Sequence, residues 1–142
     1  MRKILICSIL IFLLIYCKKK DFQKETSFNG NWEYNNYSNK DTLYNLSFKI
    51  NFTKLNQDSI IGQYCSIARN GSRIDCFKGE ENNICAKIIN DTMYAEFNSS
   101  WENSTGKAKL YFNKNKKLVW ELGECEGELY LPIKIILNKE SE

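Results

Sequence analysis

The chain contains no histidine and a single proline. The first absence removes the side chain most used as a general base near neutral pH, and the usual nitrogen ligand of zinc. No Ser-x-x-Lys or Gly-x-Ser-x-Gly stretch occurs, so the nucleophile arrangements those spacings supply are missing too. No segment sustains a helical period of apolar residues, and none reaches the roughly 20 apolar positions needed to cross a hydrocarbon core of about 30 Å. Charge of one sign is also scarce: 20 Lys and Arg stand against 17 Asp and Glu, a formal net charge of +3. Setting aside Arg2 and Lys3 of the leader discussed next leaves about +1, too little for nucleic acid to be the expected partner. These absences predict a protein that is not an enzyme and uses no cofactor.

What is present begins with an address. "MRKILICSILIFLLIYCKKK" opens with Arg2 and Lys3, runs from Ile4 to Tyr16 with only Ser8 polar, and stops at Cys17 before three lysines. A charged n-region followed by a short apolar run is the pattern of an export signal, expected over residues 1–16. The junction Leu14-Ile15-Tyr16-Cys17 resembles the lipobox of bacterial lipoproteins, with Tyr16 in a position that usually holds Ala, Gly or Ser. The resemblance implies a lipid on Cys17, membrane attachment through it, and residence in the bacterial cell envelope, the outer membrane first. Acyl chains hold a protein at a membrane at about 0.8 kcal/mol per buried methylene. Residues 17–27 then form the lipidated cysteine and a polar tether, and 28–142 a single domain.

Export decides how the remaining cysteines are read. Cys65, Cys76, Cys85 and Cys125 form an even set for an oxidising compartment, with three possible pairings. The expectation is Cys65 with Cys76, which closes a short loop, and Cys85 with Cys125. Structural zinc favours Cys pairs two to four residues apart. These cysteines are spaced by ten, eight and thirty-nine residues, so neither a metal site nor a Cys-x-x-Cys redox pair is expected.

From Asn29 onward short strand-like segments alternate with turn signals. The clearest is "LYNLSFKINFT", where Tyr44, Leu46, Phe48, Ile50 and Phe52 share one face and the intervening polar residues the other. "GNWEYNNY" precedes it. "SIIGQYCSIA", a cysteine-bounded loop, "ICAKIIN", "MYAEFNS", "GKAKLYF", "LVWELGE" and "ELYLPIKIIL" follow. About eight strands with hairpin-length links predict an all-β, antiparallel up-and-down meander, and closing it into a barrel hides both edges. The meander, with Gly30-x-Trp32 at its start, resembles lipocalins and other calycin-like barrels, in which such a tryptophan plugs one end. Trp32, Phe48, Phe52, Phe97, Phe112 and Trp120 are expected inside, so the barrel should be mostly filled by side chains. Pro132 is expected at an edge or a strand start.

Function then falls to the rims. "Arg69-Asn70-Gly71-Ser72-Arg73" carries an Asn-Gly turn between two cysteines, and a Cys65–Cys76 bridge would hold both arginines in place. With Tyr64 and Phe77 nearby, this loop has the residue types enriched at protein-binding hot spots, and the alternative is a structural hairpin tip. Glu124, Glu126 and Glu128 read as a charged turn rather than a calcium loop. Asp41-Thr42-Leu43, Asp58-Ser59-Ile60 and Asp91-Thr92-Met93 resemble O-glycosylation acceptors of some exported bacterial proteins, and turn chemistry accounts for them equally. Three functions fit: a lipid-anchored module binding an envelope or foreign protein as an inhibitor or immunity factor, a carrier of a small hydrophobic ligand, or a structural envelope lipoprotein.

Overall fold

Apolar-polar alternation becomes a sheet with one wet face. The structure, a computed structural model, describes residues 27–36, 46–79 and 81–140. The expected signal, Cys17, the tether up to residue 26 and Asp41-Thr42-Leu43 lie outside the described residues. Along β2 (Leu46–Lys54), Phe48, Ile50 and Phe52 are buried while Lys49 and Asn51 are exposed. The same period runs through β3 (Ser59–Ala68), β5 (Ile84–Ile89), β6 (Thr92–Asn98) and β7 (Thr105–Phe112). Together with β1 (Gly30–Asn35), β8 (Leu118–Glu126) and β9 (Lys134–Lys139) they form a closed eight-stranded antiparallel barrel. Successive strands pair as neighbours, β2 pairs β3 to complete the ring, and β1 meets β9 through Trp32↔Lys139 and Glu33↔Asn138. The architecture is consistent with a lipocalin-like fold.

The interior is solid. Phe48, Tyr64, Phe97 and Trp120, each no more than 2 % exposed, stack in sequence around the barrel axis with ring centroids 5.0 to 5.9 Å apart. Large rings meeting at tilted and edge-on angles bury much area in little volume, and they fill a barrel of this size. Trp32 packs on Phe112 at the end that carries the turns at 55–58 and 113–117. Its indole donates to the Phe28 carbonyl at 2.8 Å, and the Lys139 ammonium lies over its ring.

Several expectations need correction. The cysteine-bounded segment is a β-hairpin: β3 continues to Ala68, and a ninth strand, β4 (Arg73–Cys76), pairs back along it. The last strand starts at Lys134 rather than Glu128. Pairing with β7 carries β8 through to Glu126, and the 127–133 segment crosses the barrel mouth before β9 begins. Pro132 lies buried in that segment, with its carbonyl accepting from the Trp120 indole at 2.9 Å. Asp58 and Asp91 do sit where turns hand over to strands, since β3 starts at Ser59 and β6 at Thr92.

The Cys85–Cys125 bridge is absent, and both thiols are free. Cys85 is on β5 and Cys125 on β8, with β6 and β7 between them. Three strand spacings of about 4.8 Å separate their backbones by roughly 14 Å, about twice the Cα separation a disulfide spans. Their registers also differ: Cys85 aligns with Glu96, which aligns with Lys107, whereas Cys125 stands opposite Gly106.

Candidate functional site

One end of the barrel gathers the β3–β4 hairpin, the 99–104 loop and the 127–133 segment. Cys65 and Cys76 face each other across β3 and β4 and are joined by a disulfide. Beyond them Arg69, Asn70 and Gly71 all adopt positive φ, at 50°, 56° and 84°, conformations that Asn and Gly tolerate best. Ser72 closes the turn, its backbone N–H and hydroxyl both donating to the Arg69 carbonyl at 3.1 and 2.8 Å. Strand alternation along β4 puts Arg73 and Asp75 on the inner side and leaves Ile74 outside, 53 % exposed.

The inward turn of Arg73 builds the site. Its guanidinium carbon lies 5.1 Å from the ring centres of both Trp101 and Tyr130, and that of Arg69 lies 5.5 Å from Tyr130. Trp101 and Tyr130 meet edge to face at 5.2 Å. Two arginines and two aromatic rings thus form one cluster, held together by cation–π attraction and shared apolar area.

Each ring is fixed by its own loop. The Trp101 backbone N–H donates to Ser99 Oγ at 2.9 Å, and the Ser99 backbone N–H to the Ser104 carbonyl at 2.8 Å, which folds 99–104 into a tight loop. Tyr130 is pinned across the mouth, where the Ser66 hydroxyl of β3 donates to its carbonyl at 2.7 Å. Leu129 and Leu131 on either side pack against the core. Gly127 has φ +86°, and a Cβ there would come within 2.2 Å of Ser104 Oγ, so only glycine lets the two loops touch.

Beneath the cluster Asp75 is fully buried. It accepts from the Tyr64 hydroxyl at 2.8 Å, Ser99 Oγ at 2.7 Å, and the Ser100 N–H and hydroxyl at 2.8 and 2.9 Å. Burial, followed by the Asp75 charge, pushes the Tyr64 phenol well above its ordinary pKa. The arrangement braces β4 against the barrel core and the 99–104 loop.

Of the residues expected to bind, Arg69, Asn70 and Arg73 are here together. Tyr64 is not on the surface: it is 1 % exposed and belongs to the core. Phe77 is half-buried just past β4. Glu124 pairs with Lys107 at 3.2 Å, and Glu128 accepts from the Tyr130 hydroxyl. An open cleft of about 640 Å³, lined by Asn83, Glu96, Lys107, Glu124 and Cys125, includes no residue of the cluster, and partial burial pushes the Cys125 thiol pKa up.

Sequence reasoning missed Trp101, Tyr130 and Asp75. Trp101 did leave a signal, a large aromatic stranded in the polar run "NSSWENS" between two strands. Tyr130 looked like one more alternating strand residue, and Asp75 like one more loop acid.

No family model, curated protein or solved structure matches the chain.

Proposed function

We propose that the protein is a lipid-anchored envelope lipoprotein whose barrel is a non-enzymatic binding module, acting on a protein partner through the Arg69–Arg73 rim as an inhibitor or immunity factor. The observation that carries the reading is the stacking of Arg69 and Arg73 on Tyr130 and Trp101, on a hairpin closed by Cys65–Cys76. Arginine and large aromatics held in place before contact lose little freedom on binding, which is what makes such residues hot spots. The aromatic core counts against the carrier reading, since Phe48, Tyr64, Phe97 and Trp120 occupy the space a ligand would need. The lipid anchor rests on the Leu14–Cys17 sequence and the export signal before it.

Two experiments test this reading. Labelled fatty acid should be incorporated by the wild-type chain and not by Cys17→Ala. A protein captured from envelope extracts should then bind an Arg69→Ala/Arg73→Ala variant at least about tenfold more weakly than wild type, a loss near 1.4 kcal/mol. Equal affinity for the two would remove the rim as the binding surface.

A further inference from the structure

The geometry points to a carboxylate on the partner as the group this rim receives, an inference that rests on the rim-binding reading above. The ion pairs among the described residues are made by Lys49, Lys107 and Lys134, and none involves Arg69 or Arg73. The acids on the neighbouring segments are engaged by uncharged donors: Asp75 by Tyr64, Ser99 and Ser100, and Glu128 by the Tyr130 hydroxyl. Arg73 Nη1 makes one long bond, donating to the Ser72 carbonyl at 3.5 Å, but no carboxylate among the described residues takes up the charge-assisted hydrogen bonds either guanidinium can form.

Unmet donors mark the same place. Arg73 Nε and Trp101 Nε1 are shut off from water and have no acceptor, although buried N–H groups are paired in the great majority of cases. The third such atom among the described residues, Ser104 Oγ, lies in the 99–104 loop that carries Trp101. The other two indoles are satisfied, Trp32 by the Phe28 carbonyl and Trp120 by the Pro132 carbonyl. An acceptor carrying negative charge answers the first observation directly, and it meets the two closed donors once the rings part to admit it.

Its class follows from the surroundings. A carboxylate is planar, matches the two-pronged edge of a guanidinium and fits beside flat rings. Asp75 and Glu128 stand close by and oppose a second negative charge, which favours a singly charged carboxylate over phosphate. Arg69, exposed at the hairpin tip, supplies the outer contact, and the disulfide and the Ser66–Tyr130 bond hold the frame. An acidic side chain on a protein partner has the required chemistry.

The test follows the indole N–H resonances of the ¹⁵N-labelled full chain in detergent micelles. An acetylated tetraglutamate peptide is titrated in, with the tetraglutamine peptide and inorganic phosphate as comparisons. The Trp101 resonance should shift saturably with the glutamate peptide alone, while those of Trp32 and Trp120 stay in place. Arg73→Lys, which keeps the charge and loses the fork, should weaken the response by at least about tenfold. A stronger response to phosphate, an equal response to the glutamine peptide, or no movement of Trp101 would each overturn the carboxylate assignment. If a partner depends on Arg69 and Arg73 while the glutamate peptide moves nothing, this inference falls and the rim reading stands. A saturable glutamate response with no rim-dependent partner supports the carboxylate site and removes the wider reading.

Discussion

The Tyr64 hydroxyl donates to Asp75 Oδ2 at 2.8 Å, with both side chains almost wholly out of water. This bond ties the aromatic core of the barrel to β4, the strand outside the ring, and through Ser99 and Ser100 to the loop that presents Trp101. It explains how a hairpin appended to a closed barrel becomes part of its rigid body.

The two partners should not be equal in cost. Tyr64→Phe removes one of four donors to Asp75 and should destabilise by about 1–2 kcal/mol. Asp75→Ala leaves a phenol, two serine hydroxyls and a backbone N–H without their acceptor, and should cost about 3 kcal/mol or more. Urea unfolding at constant m-value measures both. A larger loss for Tyr64→Phe would mean that Asp75 is not the hub of this network.

The hairpin should depend on its bridge. Replacing Cys65 and Cys76 together by alanine should lower stability by about 2–3 kcal/mol, the range for closing a loop of this length. Near-ultraviolet circular dichroism should lose the contribution of Trp101 and Tyr130 as Arg73 is released. An unchanged aromatic signal would show that the loops hold the rings without the staple.

Cys85 and Cys125 should both alkylate in unreduced protein, and peptide mapping should recover Cys65 and Cys76 as the one bridged pair of these four. Burial raises the Cys125 thiol pKa, so less thiolate is present at a given pH, and Cys125 should react more slowly than free cysteine at about pH 8. A cross-linked Cys85–Cys125 peptide would contradict the strand order.

Gly62 sits where β2 and β3 pair. A Cβ there would lie 2.5 Å from the Asn51 carbonyl oxygen and 2.7 Å from Phe52 Cδ1, and the first is backbone that cannot turn aside. Gly62→Ala should therefore destabilise by about 1–3 kcal/mol, as overpacking does, measurable as a drop of several degrees in Tm. A neutral substitution would mean that the two strands do not approach this closely.

Acid should remove one small contribution. The hydrogen bond from Lys134 and then that from the Tyr111 hydroxyl hold the Glu121 carboxyl below its ordinary pKa. The folded chain thus binds fewer protons here than the unfolded chain, and this stabilisation is full at neutral pH and fades as pH falls through the carboxylate range. Wild type should exceed Glu121→Gln slightly at about pH 7 and match it near about pH 3. A gap that widens in acid would reverse the sign of the argument.

The site was half legible. Arg69, Asn70 and Arg73 could be named because the turn and the disulfide that place them span few residues, and Asn-Gly states its own backbone geometry. Trp101 and Tyr130 could not, because neither is near the hairpin in sequence. They reach it only because the 99–104 loop opens at the same barrel end and the 127–133 segment crosses the mouth to Ser66. Tyr64 was misplaced for the related reason that adjacency to Cys65 says nothing about face: alternation sends Tyr64 into the core.

What the sequence by itself determined was local. The two-residue period chose strands, the turn residues chose where they end, and the bulky inward aromatics made the barrel solid, because each depends only on neighbours along the chain. The tertiary structure alone decided which distant residues meet. Ring closure put two strands between Cys85 and Cys125 and kept them as thiols, while it brought Arg73, Trp101 and Tyr130 together and buried Asp75 beneath them. Strand order and register are properties of the closed sheet, and no segment carries them alone.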